Sequence, residues 1–114
     1  MSGTKPQLTI RIILDSGRFG RGKAALLLHI RETGSISAAA RALGMSYARA
    51  WNLTEEMNLM FHDRLVDTFA GGNRRGGASL TATGTKVLEL YESALAEAER
   101  TVAKKLAMLD SLRG

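Results

Sequence analysis

A short group of polar side chains opens a predicted helix directly after a glycine: Ser46, Tyr47, Arg49 and Asn52. Arginine and asparagine can each make two parallel hydrogen bonds, by which Arg reads guanine and Asn reads adenine in the major groove of DNA. Residues near the N-terminus of such a helix reach bases first. The apolar residues of the same stretch are predicted to be buried, with the only tryptophan as a core anchor: Ala50, Trp51 and Met57.

An Ala-rich helix precedes this group and is positioned to hold it. Ser35 and Ser37 are short hydroxyl residues suited to capping that helix. Gly44 is suited to ending it, because glycine adopts left-handed backbone angles at no steric cost, and Ser46 is suited to capping the next helix. Two helices joined by such a tight turn predict a helix-turn-helix, although an ordinary helical hairpin has the same pattern.

A glycine-rich hairpin is predicted after the second helix. Residues 65–69 and 78–80 read as two short strands, and the connection between them carries glycines with Asn73, Arg74 and Arg75. A helix-turn-helix followed by such a hairpin is a winged helix, whose arginine-bearing wing would lie on phosphates or in the minor groove. The alternative is a plain flexible loop. Further phosphate contacts are predicted from a basic turn and from helix N-termini: Arg18, Lys23, Ser35, Ser37 and Thr83.

The N-terminal third is predicted to contain one strand and one helix. Residues 8–14 read as a half-covered strand, residues 15–22 as a turn with Phe19 folded inward, and residues 23–33 as a helix ended by Gly34. The glycines of the turn lack the spacing of phosphate-binding loops, so a nucleotide site is not predicted.

Charge and composition bound the function. The 114 residues carry a formal charge of +5 and no cysteine, and 45% are hydrophobic. From residue 81 onwards five basic residues are matched by five acidic ones, so the excess lies in residues 1–80 and indicates an anionic partner for that part. No apolar run is long enough to span a bilayer, so we expect a cytoplasmic protein without membrane contact.

Residues 81–113 are predicted to form one long helix, capped by Thr81 or Thr83. Its apolar residues follow a three-four alternation, and a helix of about 45 Å is too long for this small body to cover. A second copy of the same helix is the predicted cover, and a helix of another protein is the rival. The predicted organisation is residues 1–80 as the DNA-binding part and residues 81–114 as a dimerisation helix of the same domain.

No catalytic constellation is predicted. His29 and His62, the latter expected at the end of the recognition helix, are far apart and lack a carboxylate-histidine motif. No serine lies in a nucleophile elbow. The chain is therefore predicted not to be an enzyme, and no metal, cofactor or small-molecule effector is predicted.

A set of short motifs resembles the N-terminal winged-helix domain of the ModE family of molybdenum-responsive transcription regulators, from about Leu26 to Tyr91. The motifs are Gly34-Ser35-Ile36-Ser37, Ser46-Tyr47, Ala50-Trp51, Glu56-Met57-Asn58, Leu65-Val66, Gly71-Gly72, Gly76-Gly77-Ala78 and Leu80-Thr81 with Gly84. A weaker likeness to the LysR-type helix-turn-helix is expected. The resemblance implies a homodimeric regulator joined through the first strand, first helix and last helix. It does not extend to the family's molybdate-binding region, so oxyanion sensing is not predicted.

The residues and the resemblance together predict a mainly α fold with a small β component, a winged helix-turn-helix with a long C-terminal dimerisation helix. The predicted function is sequence-specific regulation of transcription by a homodimer on double-stranded DNA. The alternative is a protein-interaction module with a winged helix that no longer reads DNA.

Overall fold

The computed structural model describes residues 5–71 and 74–113, and the side chains at 71 and 74–76 lie outside that description. Within these residues the elements follow in the order β1 (Arg11–Leu14), β2 (Gly17–Gly20), α1 (Arg21–Thr33), α2 (Ile36–Leu43), α3 (Tyr47–Asn58), β3 (Val66–Gly71), β4 (Arg74–Leu80) and α4 (Ala82–Ser111). The described strands form two antiparallel pairs, β1 with β2 and β3 with β4. The predicted fold class, a winged helix-turn-helix with a long last helix, is confirmed.

The helix-turn-helix is set by its caps. Ser35 Oγ accepts a hydrogen bond from the Ala38 N–H at 3.0 Å, and Ser46 Oγ accepts one from the Arg49 N–H at 3.1 Å. Gly44 ends α2 at φ 68°, in the left-handed region. The predicted capping role of Ser37 is wrong, because Ser37 lies inside α2, where its hydroxyl accepts a bond from Arg41 at 3.2 Å.

The N-terminal segment differs from its prediction. The first strand is shorter, Arg11–Leu14, and residues 17–20, predicted as part of a turn, form β2. Ile12 pairs with Phe19 across the two strands, so the turn is confined to Asp15 and Ser16. This pairing gives the backbone of residues 17–20 hydrogen-bond partners that a loop would lack. Phe19 does fold inward, with 2% of its surface exposed, and α1 begins two residues earlier than predicted.

The wing is the β3–β4 hairpin. Its strands are longer than predicted, and most of the residues predicted to connect them belong to the strands themselves. Val66 pairs with Leu80 and Phe69 with Gly77. The Ala78 N–H donates to the Gly34 carbonyl at 2.9 Å, which fixes β4 against the turn between α1 and α2.

The long helix α4 has its buried residues in its first turns. Thr81 Oγ1 accepts a hydrogen bond from the Gly84 N–H at 2.9 Å, so Thr81 is the cap. Tyr91 packs edge-on against Phe19, with ring centroids 5.3 Å apart, and donates to the Ile10 carbonyl at 2.9 Å. Desolvation by these neighbours raises the pKa of the Tyr91 hydroxyl. The largest fully buried side chains are Phe19, Leu26, Leu27, Ile30, Met57, Leu65, Leu88, Val66 and Thr54. After Tyr91 no described residue of α4 is buried.

Candidate nucleic-acid interface

Helix α3 buries one face and exposes the other. Ala50, Thr54, Met57 and Asn58 are buried, as the sequence predicted for Ala50 and Met57. Thr54 adapts to its buried position by donating its hydroxyl to the Ala50 carbonyl at 2.8 Å. The predicted base-reading residues lie on the exposed surface of the helix or at its N-cap: Ser46, Tyr47, Arg49 and Asn52. The helix therefore presents a polar surface to solvent along its N-terminal half.

Trp51 corrects the sequence prediction. It is not a core anchor, because 37% of its surface is exposed. Its ring stacks on Tyr47, with centroids 6.2 Å apart and an interplanar angle of 28°. Residues four apart lie on one side of a helix, and the buried side of α3 is already filled by smaller side chains. The i, i+4 spacing of the two aromatic residues is the sequence signal that was overlooked, because it puts Trp51 beside Tyr47 on the helix surface.

An aromatic groove separates α3 from the wing. Tyr47 and Trp51 form one side, and Phe69 of β3, 58% exposed, belongs to the other. The groove encloses about 440 Å³ and is also lined by Ser35, Ser37 and Thr68. The predicted phosphate contacts Ser35 and Ser37 are thus brought beside Tyr47, at the N-terminus of α2. Both hydroxyls accept a bond within the chain, and each keeps its own O–H to donate.

A basic groove lies on the opposite side of α3. It encloses about 680 Å³, and no acidic side chain is among the described residues that line it. Its cationic side chains come from β1, β2, α1 and α3: Arg11, Arg18, Arg21, Lys23 and Arg49. The structure therefore gathers three predicted site residues, Arg18, Lys23 and Arg49, into one surface. Arg21 was recognised in the sequence as part of the same basic cluster as Arg18 and Lys23, although not as a site residue; Arg11 was missed, because the β1–β2 hairpin that brings it there was not recognised.

Two of the candidate residues already bind carboxylates. Lys23 Nζ forms an ion pair with Glu56 and donates to the Arg18 carbonyl at 2.5 Å. Thr83 donates its hydroxyl to Asp63 at 2.7 Å, away from both grooves. This bond, together with the hydrogen bond and the charge of His62, holds the pKa of Asp63 below its ordinary value.

The remaining candidates are the polar residues of the wing. Asn73 lies outside the described residues; Arg74 and Arg75 belong to β4, but their side chains lie outside the description. The expectation that His62 ends the recognition helix is wrong, because α3 ends at Asn58. His62 lies in the following loop with its ring nitrogen 3.2 Å from the Asp63 carboxylate.

Among the described residues, no three His, Asp or Glu side chains are grouped so that they could hold a metal ion. In the same part of the chain, no helix is both long and apolar enough to cross a membrane.

Relatives are found by sequence and by structure. Molybdenum-pterin-binding protein MopB of Rhodobacter capsulatus is 41% identical over 93 residues, which cover 82% of this chain and 33% of that protein. The DNA-binding transcriptional dual regulator ModE of Escherichia coli K12 is 41% identical over 70 residues, 61% of this chain and 27% of that protein. The chain thus spans about a third of the length of these relatives or less. A mutant of S. aureus MepR has the same fold, with a TM-score of 0.54, 22% identity and coverage of 81% of this chain and 76% of that one.

The fold is a winged helix-turn-helix with an exposed polar helix, and several of the relatives are named transcriptional regulators. Residues 23–85 match the model of the bacterial regulatory helix-turn-helix proteins of the lysR family, and the chain belongs to that family. The resemblance to ModE proteins is confirmed, since ModE and MopB proteins are its homologues. These comparisons point away from an enzyme.

Proposed function

We propose that this chain binds double-stranded DNA sequence-specifically as a homodimer, with α3 in the major groove and the wing on phosphates or in the minor groove. The observation that supports the proposal most is the two-sided character of α3: Ala50 and Met57 are buried, whereas Tyr47, Arg49 and Asn52 are exposed. A helix about 10–12 Å across fits a major groove about 12 Å wide. In this arrangement Arg49 and Asn52 make the base contacts.

The phosphate contacts are proposed on both sides of α3. The basic groove supplies Arg18, with Arg11 and Arg21 as additional cations, and the N-termini of α2 and α3 supply Ser35, Ser37 and Ser46. The wing residues Asn73, Arg74 and Arg75 remain proposals from sequence alone. Thr83 would bind phosphate only by giving up Asp63, whereas Lys23 has a third N–H beyond its bonds to Glu56 and the Arg18 carbonyl.

The homodimer is supported by apolar surface that one chain leaves open. A groove of about 390 Å³ between β1 and α4 is lined by apolar side chains, including Ile12, Leu14, Phe61 and Leu90. Leu109 and Leu112 near the end of α4 are 63% and 81% exposed. A second copy would cover both regions, so that α4, within the predicted segment 81–114, acts as the dimerisation helix. A regulator of this kind works in the cytoplasm, where bacterial DNA lies.

The proposal is tested by the salt dependence of binding to duplex DNA. Each neutralised phosphate contributes a slope of about −0.9 to the plot of log affinity against log salt concentration. Arg18→Gln should make this slope shallower by about one, because one phosphate is no longer neutralised. Lys105→Gln, a charge-matched control exposed on α4, should leave the slope unchanged. Weak binding without salt dependence, together with a stable complex with another protein, would favour the interaction module instead.

The dimer is tested separately by sedimentation. The wild-type chain of 12.3 kDa should sediment at twice that mass. Leu90→Glu should give monomers, because Leu90 lines the apolar groove and is 57% exposed in the single chain. Leu59→Glu is the control, since Leu59 is 83% exposed and lies outside that groove. Monomeric wild-type protein at micromolar concentration would contradict the homodimer.

A further inference from the structure

The stacked pair Tyr47 and Trp51 lies at the surface and is only partly covered by the chain. The two side chains are 53% and 37% exposed, and within the described residues neither the Tyr47 hydroxyl nor the Trp51 indole N–H makes a hydrogen bond. Aromatic side chains gain by burial, so this partly exposed pair, with exposed Phe69 across the groove, indicates a surface that is covered further by a partner.

The position of the pair on α3 limits what that partner surface can be. Both residues belong to the first two turns of the helix, the part that reaches base edges in helix-turn-helix proteins. Arg49 lies in the basic groove on the opposite side of the helix, so the two sides of α3 have different chemistry. One side is cationic and the other is aromatic, with exposed Asn52 on the same helix.

The major groove displays one apolar group among its base edges, the C5 methyl of thymine. We infer that Trp51, stacked on Tyr47, contacts a thymine methyl group in each half-site and so determines sequence specificity at that base pair. This inference rests on the proposed function. It adds apolar readout of thymine to the hydrogen-bonding readout proposed for Arg49 and Asn52.

Replacement of thymine by deoxyuridine tests the inference directly, because it removes the methyl group and keeps the base pair. The probe is the duplex that the purified protein selects from random DNA, with each thymine of a half-site replaced in turn. At one position the wild-type affinity should fall about fourfold, the effect of one buried methyl group. Affinity that is unchanged at every position, or a selected half-site without thymine, would overturn the inference while leaving DNA binding intact. Failure to select any duplex would overturn the proposed function as well.

A double-mutant cycle that combines a change in the protein with a change in the DNA tests whether Trp51 makes the contact. Trp51→Ala should bind the thymine duplex more weakly, and it should bind the thymine and deoxyuridine duplexes equally at that position. Asn52→Ala is the control on the same helix; it should lower affinity while keeping the fourfold preference for thymine. Should Trp51→Ala fold poorly, Trp51→Gln keeps more of the side-chain volume and has the same expected loss of preference. A thymine preference that persists in both Trp51 variants would overturn the assignment.

Discussion

Asn58 is the side chain that fixes the wing to the recognition helix. It is 6% exposed, and its Oδ1 accepts hydrogen bonds from the Leu65 and Val66 N–H groups at 2.8 and 3.0 Å. Its Nδ2 also donates to the Val66 carbonyl at 3.3 Å. The last turn of α3 and the first residue of β3 are therefore held by one carboxamide.

Replacement of Asn58 by alanine should destabilise the protein severely. It leaves two backbone N–H groups without an acceptor at residues with no exposed surface, Leu65 and Val66. An unsatisfied buried donor costs about 1–3 kcal/mol, so the expected loss for two donors is about 2–6 kcal/mol. Against a total stability of roughly 5–15 kcal/mol, this loss should lower the melting temperature by about 8–24 °C, at roughly 4 °C per kcal/mol.

The assay is denaturant and thermal unfolding followed by circular dichroism, with all variants at one protein concentration. Asn52→Ala is the matched control: it makes the same substitution on the same helix, but Asn52 is exposed, so its unfolding free energy should change by less than about 0.5 kcal/mol. The two variants should therefore separate stability from DNA affinity. Equal melting temperatures for Asn58→Ala and Asn52→Ala would refute the role assigned to Asn58.

Two further predictions concern packing and acid stability. Gly84→Ala should destabilise by about 1–3 kcal/mol in denaturant unfolding, because its Cβ would lie 2.1 Å from the Leu65 carbonyl oxygen. Gly22→Ala, where a Cβ meets no atom within 4 Å, should be neutral or stabilising, and the reverse order would contradict the packing described. Thr83→Ala should raise the pKa of Asp63 towards its ordinary value of 3.8, as measured by NMR titration of the carboxyl group. Since the folded pKa is depressed, the stabilisation exists above the unfolded pKa and is lost as pH falls through the folded one, and this loss should shrink in the variant.

Most helices of the fold were predicted from local sequence features. Ser35, Gly44 and Ser46 predicted the turn of the helix-turn-helix because capping and left-handed backbone angles depend on residues next to each other in sequence. The strand β2 was missed because its residues are mainly glycine and arginine, which have no strand preference of their own. Pairing with β1 decides its conformation.

The candidate site was predicted only in part, because local sequence patterns do not show which distant residues meet in the fold. The exposed side of α3 followed from helical spacing, but Trp51 was assigned to the core from the usual behaviour of tryptophan, and its exposure depends on how much space the smaller side chains leave beneath α3. The basic groove needed tertiary structure, because β1 places Arg11 beside residues of α1 and α3. The carboxylate partners of Lys23 and Thr83 are likewise 33 and 20 residues away in sequence, beyond the reach of local patterns.

Base reading by α3 within a two-fold dimer is tested most directly by selection of bound duplexes from random DNA by the purified protein. We predict enrichment of an inverted repeat by the wild-type chain, with enrichment lost or relaxed at specific positions in Arg49→Gln and Asn52→Ala. Recovery of unrelated sequences by the wild-type chain, or of the same repeat with undiminished preference by both variants, would contradict this mode of binding.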